Sequence, residues 1–286
     1  MIMTQHPTRV LTMPTLVPHT AQRRAGAFRP DRANAELARF LSSCEPIDLD
    51  QMDGVALQDR IDTKYVFHAG LIQRTLAALA EHYRVLEIDG NRIHRYQTLY
   101  FDTADFTLYH QHHAGGSNRY KVRSRSYLDT GLSCLEIKLK AHGDRTIKQR
   151  LRTPEPVTAL TPQAGAFLRE HLPPTIAGLQ PQLWNTFSRI TLVGKRQPER
   201  VTLDLDLHFS GNGDTVVLPG AVVAEVKQGR HGRTSPFMRL MREAGIRSTG
   251  FSKYCIGVSL LFPEIKHNNF KPHQRLLRKL VNGDSL

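Results

Sequence analysis

Residues 119–127 read Arg-Tyr-Lys-Val-Arg-Ser-Arg-Ser-Tyr. Basic side chains occupy every second place: Arg119, Lys121, Arg123 and Arg125. Successive side chains of a strand point to opposite faces, so the run predicts a strand with four positive charges on one side. A strand that only shields a core turns its polar side to water, and water favours neither sign. Like charges this close repel one another, and a polyanion is the natural source of counter-charge.

Other segments sort in the same way. Arg60, Asp62 and Lys64 share a face opposite Ile61, Thr63 and Tyr65. Glu136, Lys138 and Lys140 lie opposite Leu135, Ile137 and Leu139, and Lys148, Arg150 and Arg152 lie opposite Ile147 and Leu151. Arg200, Thr202, Asp204, Asp206 and His208 share a face, as do Glu225 and Lys227. Two architectures satisfy this parity. One is an open sheet with helices on its apolar side and water on the other. The second is a closed barrel with apolar faces outward under helices and charges lining a lumen. In a lumen the charges must pair with each other or with ligand, because unpaired buried charge is costly.

Composition agrees with an anionic partner without naming it. The chain of 286 residues has a formal net charge of +13 and 40% hydrophobic residues, enough for a sizeable core. Such a balance suits nucleic acid, anionic membrane, nucleotide or polyphosphate, or only solubility. The three cysteines, Cys44, Cys134 and Cys255, are far apart and form neither a disulfide framework nor a zinc pattern, which suits a reducing, cytoplasmic compartment. No apolar run approaches the ~20 residues that span a bilayer.

Residues 1–30 hold Pro7, Pro14, Pro18 and Pro30 with Arg23 and Arg24, and read as a disordered basic arm. They lack the apolar stretch of a signal peptide. Helical periodicity is expected at Asn34 to Ser42, Ala69 to His82, Pro162 to His171 and Ser235 to Ala244, the last with Ser235 as N-cap and Pro236 at the first position. Strands are expected at Asp59 to Phe67, Ile93 to Asp102, Asn118 to Tyr127, Ser133 to Lys140, Thr146 to Thr153, Arg189 to Val193, Arg200 to Phe209 and Val222 to Lys227. Short connections between them predict hairpins and a mainly antiparallel sheet. One domain is expected over residues 31–265. Residues 266–286 form a basic amphipathic tail, with Leu276, Leu277, Leu280 and Val281 among Arg275, Arg278 and Lys279. Such a tail docks on its own domain or meets a membrane or a membrane-protein partner at the inner face of a membrane.

Several motifs together resemble the VTC (vacuolar transporter chaperone) domain, a polyphosphate polymerase family of the triphosphate tunnel metalloenzymes. They are Arg60-Ile-Asp-Thr-Lys-Tyr-Val-Phe67, Tyr100-Phe-Asp-Thr103, the 119–127 run, Leu135-Glu-Ile-Lys138, Thr146-Ile-Lys-Gln-Arg150, Ala224-Glu-Val-Lys227 and Phe251-Ser-Lys-Tyr254. Each is weak alone, but their order along Asp59 to Leu261 is specific. The resemblance implies an α+β fold: a closed eight-stranded antiparallel barrel around a basic tunnel, with helices outside. It implies transfer of the γ-phosphoryl group of ATP onto a growing polyphosphate chain, release of ADP, and dependence on Mn²⁺ or Mg²⁺.

By the same resemblance the tunnel residues are Lys64, Arg123, Arg125, Lys138, Lys148, Arg189, Arg200 and Lys253, and Glu225 holds the metal. Arg123, Arg125, Lys138 and Lys148 are expected on the nucleotide phosphates, with Asp204 or Asp206 as helpers to Glu225. The first strand has a single carboxylate, Asp62, where the wider superfamily often has alternating glutamates, and this favours a polymerase over a two-metal hydrolase.

Blander readings stand beside these. Asp62, Glu136, Asp204 and Asp206 serve as salt-bridge partners, Asp204 and Asp206 with Arg200 or a neighbouring lysine. His112, His113 and His142 are solvated loop residues, and Trp184, Tyr109 and Phe106 pack. The alternatives in function are a tunnel triphosphatase or a non-catalytic polyphosphate- or nucleotide-binding module. No nucleic-acid partner is expected, because a recognition-helix motif and aromatic residues interleaved on the basic face are missing.

Overall fold

The computed structural model describes residues 32–53, 60–141, 146–229 and 235–282. The expected basic arm, Asp59 and His142 lie outside the described residues. The strands are β1 (Pro46–Ile47), β2 (Arg60–His68), β3 (Tyr83–Leu86), β4 (His94–Asp102), β5 (Arg119–Tyr127), β6 (Leu132–Lys140), β7 (Thr146–Thr153), β8 (Gln180–Gly194), β9 (Glu199–Gly211), β10 (Asp214–Leu218) and β11 (Ala221–Gly229). The helices are α1 (Arg32–Ser42), α2 (Leu49–Asp53), α3 (Ile72–Leu79), α4 (Thr107–His113), α5 (Pro162–His171), α6 (Pro236–Glu243), α7 (Lys253–Leu261) and α8 (Lys271–Asn282).

The strands form one eleven-stranded sheet with the main order β2-β11-β9-β8-β4-β5-β6-β7. Every pairing along this path is antiparallel. The 119–127 run is β5, and it pairs β6 so that Lys121 faces Lys138 and Arg123 faces Glu136. Asn212 and Gly213, both at positive φ, turn the chain between β9 and β10, as a two-residue hairpin of this hand requires.

The sheet is curled but not closed, which corrects the expectation of a barrel. In a flat sheet the five steps from β2 to β5 would separate Lys64 from Lys121 by ~24 Å. Instead Lys64 Nζ donates to the Phe251 carbonyl at 2.9 Å and Lys121 Nζ donates to Ser252 Oγ at 2.8 Å. Strands five places apart in the order thus converge on consecutive residues. No ladder joins β2 to β7 among the described residues. The charged residues that β7 brings to the inner face, Lys148, Arg150 and Arg152, are all cations, and a ladder would set them beside Arg60, Asp62 and Lys64, two cations to one carboxylate. Like charges placed directly opposite are destabilising. The result is a trough with one open seam.

Apolar faces point outward, as parity predicts. Tyr65, Phe67, Leu203, Val222 and Ala224 pack under α1, α3 and α6 through Leu41, Leu76, Phe237 and Met241. Val122, Leu135 and Ile137 pack under α5 through Ala164 and Leu168. Ser235 caps α6 as expected, its Oγ accepting from Met238 N at 3.1 Å. One helix breaks the pattern by lying inside. Residues 254–261 of α7 are all buried, as an all-round apolar helix requires. They pack against Val66, Leu183, Leu207, Phe209 and Val223 and so plug one end of the trough. The C-terminal tail is the docked helix α8, with Leu277 and Leu280 buried in the same cluster and Arg275, Arg278 and Lys279 turned to solvent.

Candidate anion-binding trough

Every strand of the main order except β4 brings Lys or Arg side chains to the inner face. β4 brings Tyr96, Thr98 and Tyr100, which stand opposite Tyr127, Arg125 and Arg123. The carboxylates are few, and each is engaged. Glu136, fully buried, meets three cations: Arg123 at 2.7 Å, Lys148 at 2.6 Å and Arg150 at 3.0 Å. Burial alone would raise its pKa, but Arg123, Arg125 and Lys148 hold it well below the usual carboxylate range. Asp204 receives the Arg189 fork at 2.6 and 2.9 Å and also bonds Lys253. These two cations overcome burial and bring it down to about 2. Glu225 sits 3.7 Å from Lys64 and bonds Lys227, and is likewise depressed against the effect of burial. Asp62 pairs with Arg60 at 3.1 Å.

The cations outnumber these carboxylates, and several lack one. Arg125 is 8% exposed, its Nε has no hydrogen-bond partner, and its guanidinium lies 5.7 Å from the Tyr96 ring centre. Lys138 stands between Lys121 and Lys148 on a single cross-strand rung. Burial, with the nearby charge of Lys64, pushes Lys138 down to about 8. Burial brings Lys148 and Lys253 to about 8 as well, each against the pull of its own carboxylate. Burial, with the repulsion of neighbouring cations, opposes the charge of these lysines, and a polyanion is the partner such an array suits.

The structure brings Lys64, Arg123, Arg125, Lys138, Lys148, Arg189, Arg200 and Lys253 to this inner face together with Glu225. Two expectations change. A β-bulge sits where Thr186 of β8 pairs His208 and Ser188 pairs Leu205, and Asp206 there has φ +52°. The extra residue flips the parity of β9: Leu207 and Phe209 turn inward against α7, and Asp206 and His208 leave the trough face. Asp206 is therefore no helper of Glu225. Asp204 stays inside, but its partners are Arg189 and Lys253, not Arg200.

The second change concerns His112 and His113, which are not in a loop. Both belong to α4, with His113 8% exposed and the His112 ring 3.2 Å from the Tyr120 carbonyl. Burial and the charges of Lys121 and Arg119 push His112 down to about 2, so it stays neutral. Tyr109 and Phe106 are buried and Trp184 packs half-buried beside the α5 cluster, as expected.

As a metal centre the trough is sparse. Among the described residues no group of three or more His, Cys, Asp or Glu could hold an ion. A donor set this small leaves most of an ion's ligands to come from water or a bound anion. Mg²⁺ commonly takes one or two protein carboxylates and keeps several waters, and Glu225 can supply one.

A family model, the VTC domain, matches residues 59–262. The chain belongs to the VTC-domain family. Membership supports a polyphosphate- or triphosphate-related function and an enzyme. Solved structures are similar at low identity. One is a candidate adenylyl cyclase from Hippeastrum with dominant triphosphatase activity, at 16% identity and TM-score 0.43, covering 70% of this chain and 96% of that one. Another is the PH1819 protein of Pyrococcus horikoshii, at 13% identity and TM-score 0.40, covering 71% and 96%. A third is the Pct1 RNA triphosphatase of S. pombe, at 11% identity and TM-score 0.27, covering 88% and 95%. A search of curated proteins gives no match. No helix among the described residues is long and apolar enough to cross a membrane.

Motif matching to the VTC family passes over three cations that line this domain's trough. Lys121 lies on the rung with Lys138, Arg150 bonds Glu136, and Lys227 bonds Glu225. The signal that finds them is strand parity, since each shares a face with a matched residue.

Proposed function

We propose that this VTC domain is a polyphosphate polymerase that moves the γ-phosphoryl group of ATP onto the end of a polyphosphate chain. The observation that carries the reading is the charge of the trough: cations in excess, with Asp62, Glu136, Asp204 and Glu225 each held in an ion pair. A hydrolase must activate a water, and no inner-face carboxylate among the described residues stands without a hydrogen-bond or ion-pair partner to take its proton. A chain-terminal phosphate is already ionised near neutral pH and needs no base. Its oxygen bonds to the γ phosphorus while the bond to the β–γ bridging oxygen breaks, and ADP leaves with that electron pair. Phosphoryl transfer of this kind asks for positioning and charge neutralisation.

In this reading Arg123, Arg125, Lys138 and Lys148 hold the nucleotide phosphates. Planar guanidinium forks suit paired oxygens, and ammonium groups act as point charges. Glu136 keeps Arg123 and Lys148 aligned between turnovers. Lys64, Arg189, Arg200 and Lys253 guide the acceptor. Glu225 is the residue that would hold Mn²⁺ or Mg²⁺, and such an ion supplies positive charge between the phosphate oxygens. The basic face of α8 remains the surface for a membrane-protein partner on the cytoplasmic side.

The test is incubation of purified protein with ATP and Mn²⁺ or Mg²⁺, with products resolved on a gel that displays polyphosphate. A ladder with stoichiometric ADP, abolished in Lys138→Ala, is the expected result. Orthophosphate without a ladder would make the protein a triphosphatase. No turnover with either metal would leave a binding module.

A further inference from the structure

Lys121 is the odd member of the inner face. Its neighbours on β5, Arg123 and Arg125, belong to the phosphate-binding set proposed above. Lys121 instead spends its hydrogen bond on a hydroxyl, Ser252 Oγ at 2.8 Å, at the cap of the plug helix α7. No carboxylate among the described residues pairs with it. Those nearby are committed: Glu136 to Arg123, Lys148 and Arg150, and Glu225 to Lys64 and Lys227. What surrounds Lys121 is mostly positive or neutral. Lys64 approaches from β2, Lys138 stands directly opposite on β6, and Arg123 is next on its own face. From α4 comes the neutral His112, and from α7 the buried Cys255 thiol, which burial keeps protonated.

The rung Lys121–Lys138–Lys148 is therefore three amines in a row across β5, β6 and β7 with one carboxylate at its end. The cheapest relief for such a rung is to leave an amine neutral. Lys121 is the one whose hydrogen bond survives deprotonation, because a neutral amine still bonds a hydroxyl. Burial, with the charges of Lys64, Lys138 and Arg123, lowers its pKa to about 7.

We propose that Lys121 is a further phosphate-binding residue of the trough, parked on Ser252 and charged by the ligand it meets, so that oligophosphate binding takes up a proton. The inference rests on the trough binding oligophosphate, as proposed above, but not on turnover. A phosphate oxygen set on the rung supplies the missing negative charge. It raises the affinity of the amine for a proton, and the ammonium then donates to the phosphate. By linkage, the contribution of Lys121 to affinity stays level below pH 7 and weakens as pH rises above it.

The experiment is calorimetric titration with inorganic tripolyphosphate at pH 8, in two buffers of different ionisation enthalpy. It compares wild type, Lys121→Met and Lys121→Arg. Protons released by the phosphate itself are common to all three. Wild type should take up about one proton more than either variant. Lys121→Met should bind about tenfold more weakly at pH 7, the loss of one charge-assisted hydrogen bond. Lys121→Arg should keep the affinity and lose the uptake, which a merely structural lysine would not do. Equal proton uptake in all three proteins, with binding retained, would overturn the role of Lys121 alone. Failure of wild type to bind tripolyphosphate would overturn both this inference and the functional reading.

Discussion

Glu136 shows how much one residue organises in this trough. It takes cations from β5 and β7, and it is the only carboxylate that β5, β6 and β7 contribute to the inner face. Replacing it with Gln leaves Arg123, Lys148 and Arg150 repelling without a counter-charge. Loss of one partner from a buried pair costs ~3–5 kcal/mol. Lys148 and Arg150 are 36% and 47% open to solvent, so the lower end applies. We expect Glu136→Gln to lose about 3 kcal/mol in urea unfolding, and to recover part of that in tripolyphosphate. The pH dependence has a definite sign. Glu136 has a folded pKa below its unfolded value, so its contribution is complete above about pH 4.5 and is lost as pH falls. The variant should therefore lose less stability than wild type between pH 5 and 3. At this scale the sequence was informative wherever alternation holds, since parity alone assigns Lys64, Lys121, Lys138, Lys148 and Glu225 to one face. It misleads at Asp206, because a bulge adds a residue without changing the pattern of residue types.

Among the elements, α7 matters most and was the least legible. Its sequence Lys-Tyr-Cys-Ile-Gly-Val-Ser-Leu-Leu carries no polar face, so it has no helical stripe to detect. The start of β8 was missed for a related reason: a strand is expected only at Arg189 to Val193, because Gln180, Pro181 and Gln182 carry no apolar alternation. By contrast α5 and β7 have their expected bounds, where Pro at a helix start and strict alternation leave little choice. The fit of α7 depends on Gly257. A Cβ there would lie 2.5 Å from Leu183 Cδ2 and 2.7 Å from Phe209 Cδ1. Gly257→Ala must push α7 away from β8 and β9, and overpacking of this kind costs ~1–3 kcal/mol. Because Ser252 and Lys253 begin the same helix, the shift should also disturb Lys121 and Asp204. A lowered denaturation midpoint together with weaker tripolyphosphate binding is the expected pair of results. An unchanged affinity in a destabilised variant would show that the plug acts on the fold alone.

For the whole molecule, parity distinguishes an inner from an outer face but contains nothing about strand order or closure. Those depend on contacts between β2 and β5 that are remote in sequence and that run through Phe251 and Ser252. Ser248 and Thr249 pair the edge of β2 at Tyr65 and Lys64, but no ladder joins β2 to β7 among the described residues, and Ile61 and Ile147 on these strands are exposed at 41% and 36%. This gap bears on how a long polymer can be handled. A ring must be threaded from a free end, whereas a clip closes around any point of a cord. On the proposed function, a sheet left unclosed between β2 and β7 makes the protein a clip, and an interior stretch of polyphosphate would settle against the lysines without either terminus passing through. A cyclic phosphate has no terminus, so trimetaphosphate should compete with linear tripolyphosphate to within the difference expected from its lower charge, as measured by displacement calorimetry. Long polyphosphate already anchored at both ends would then remain accessible to this protein.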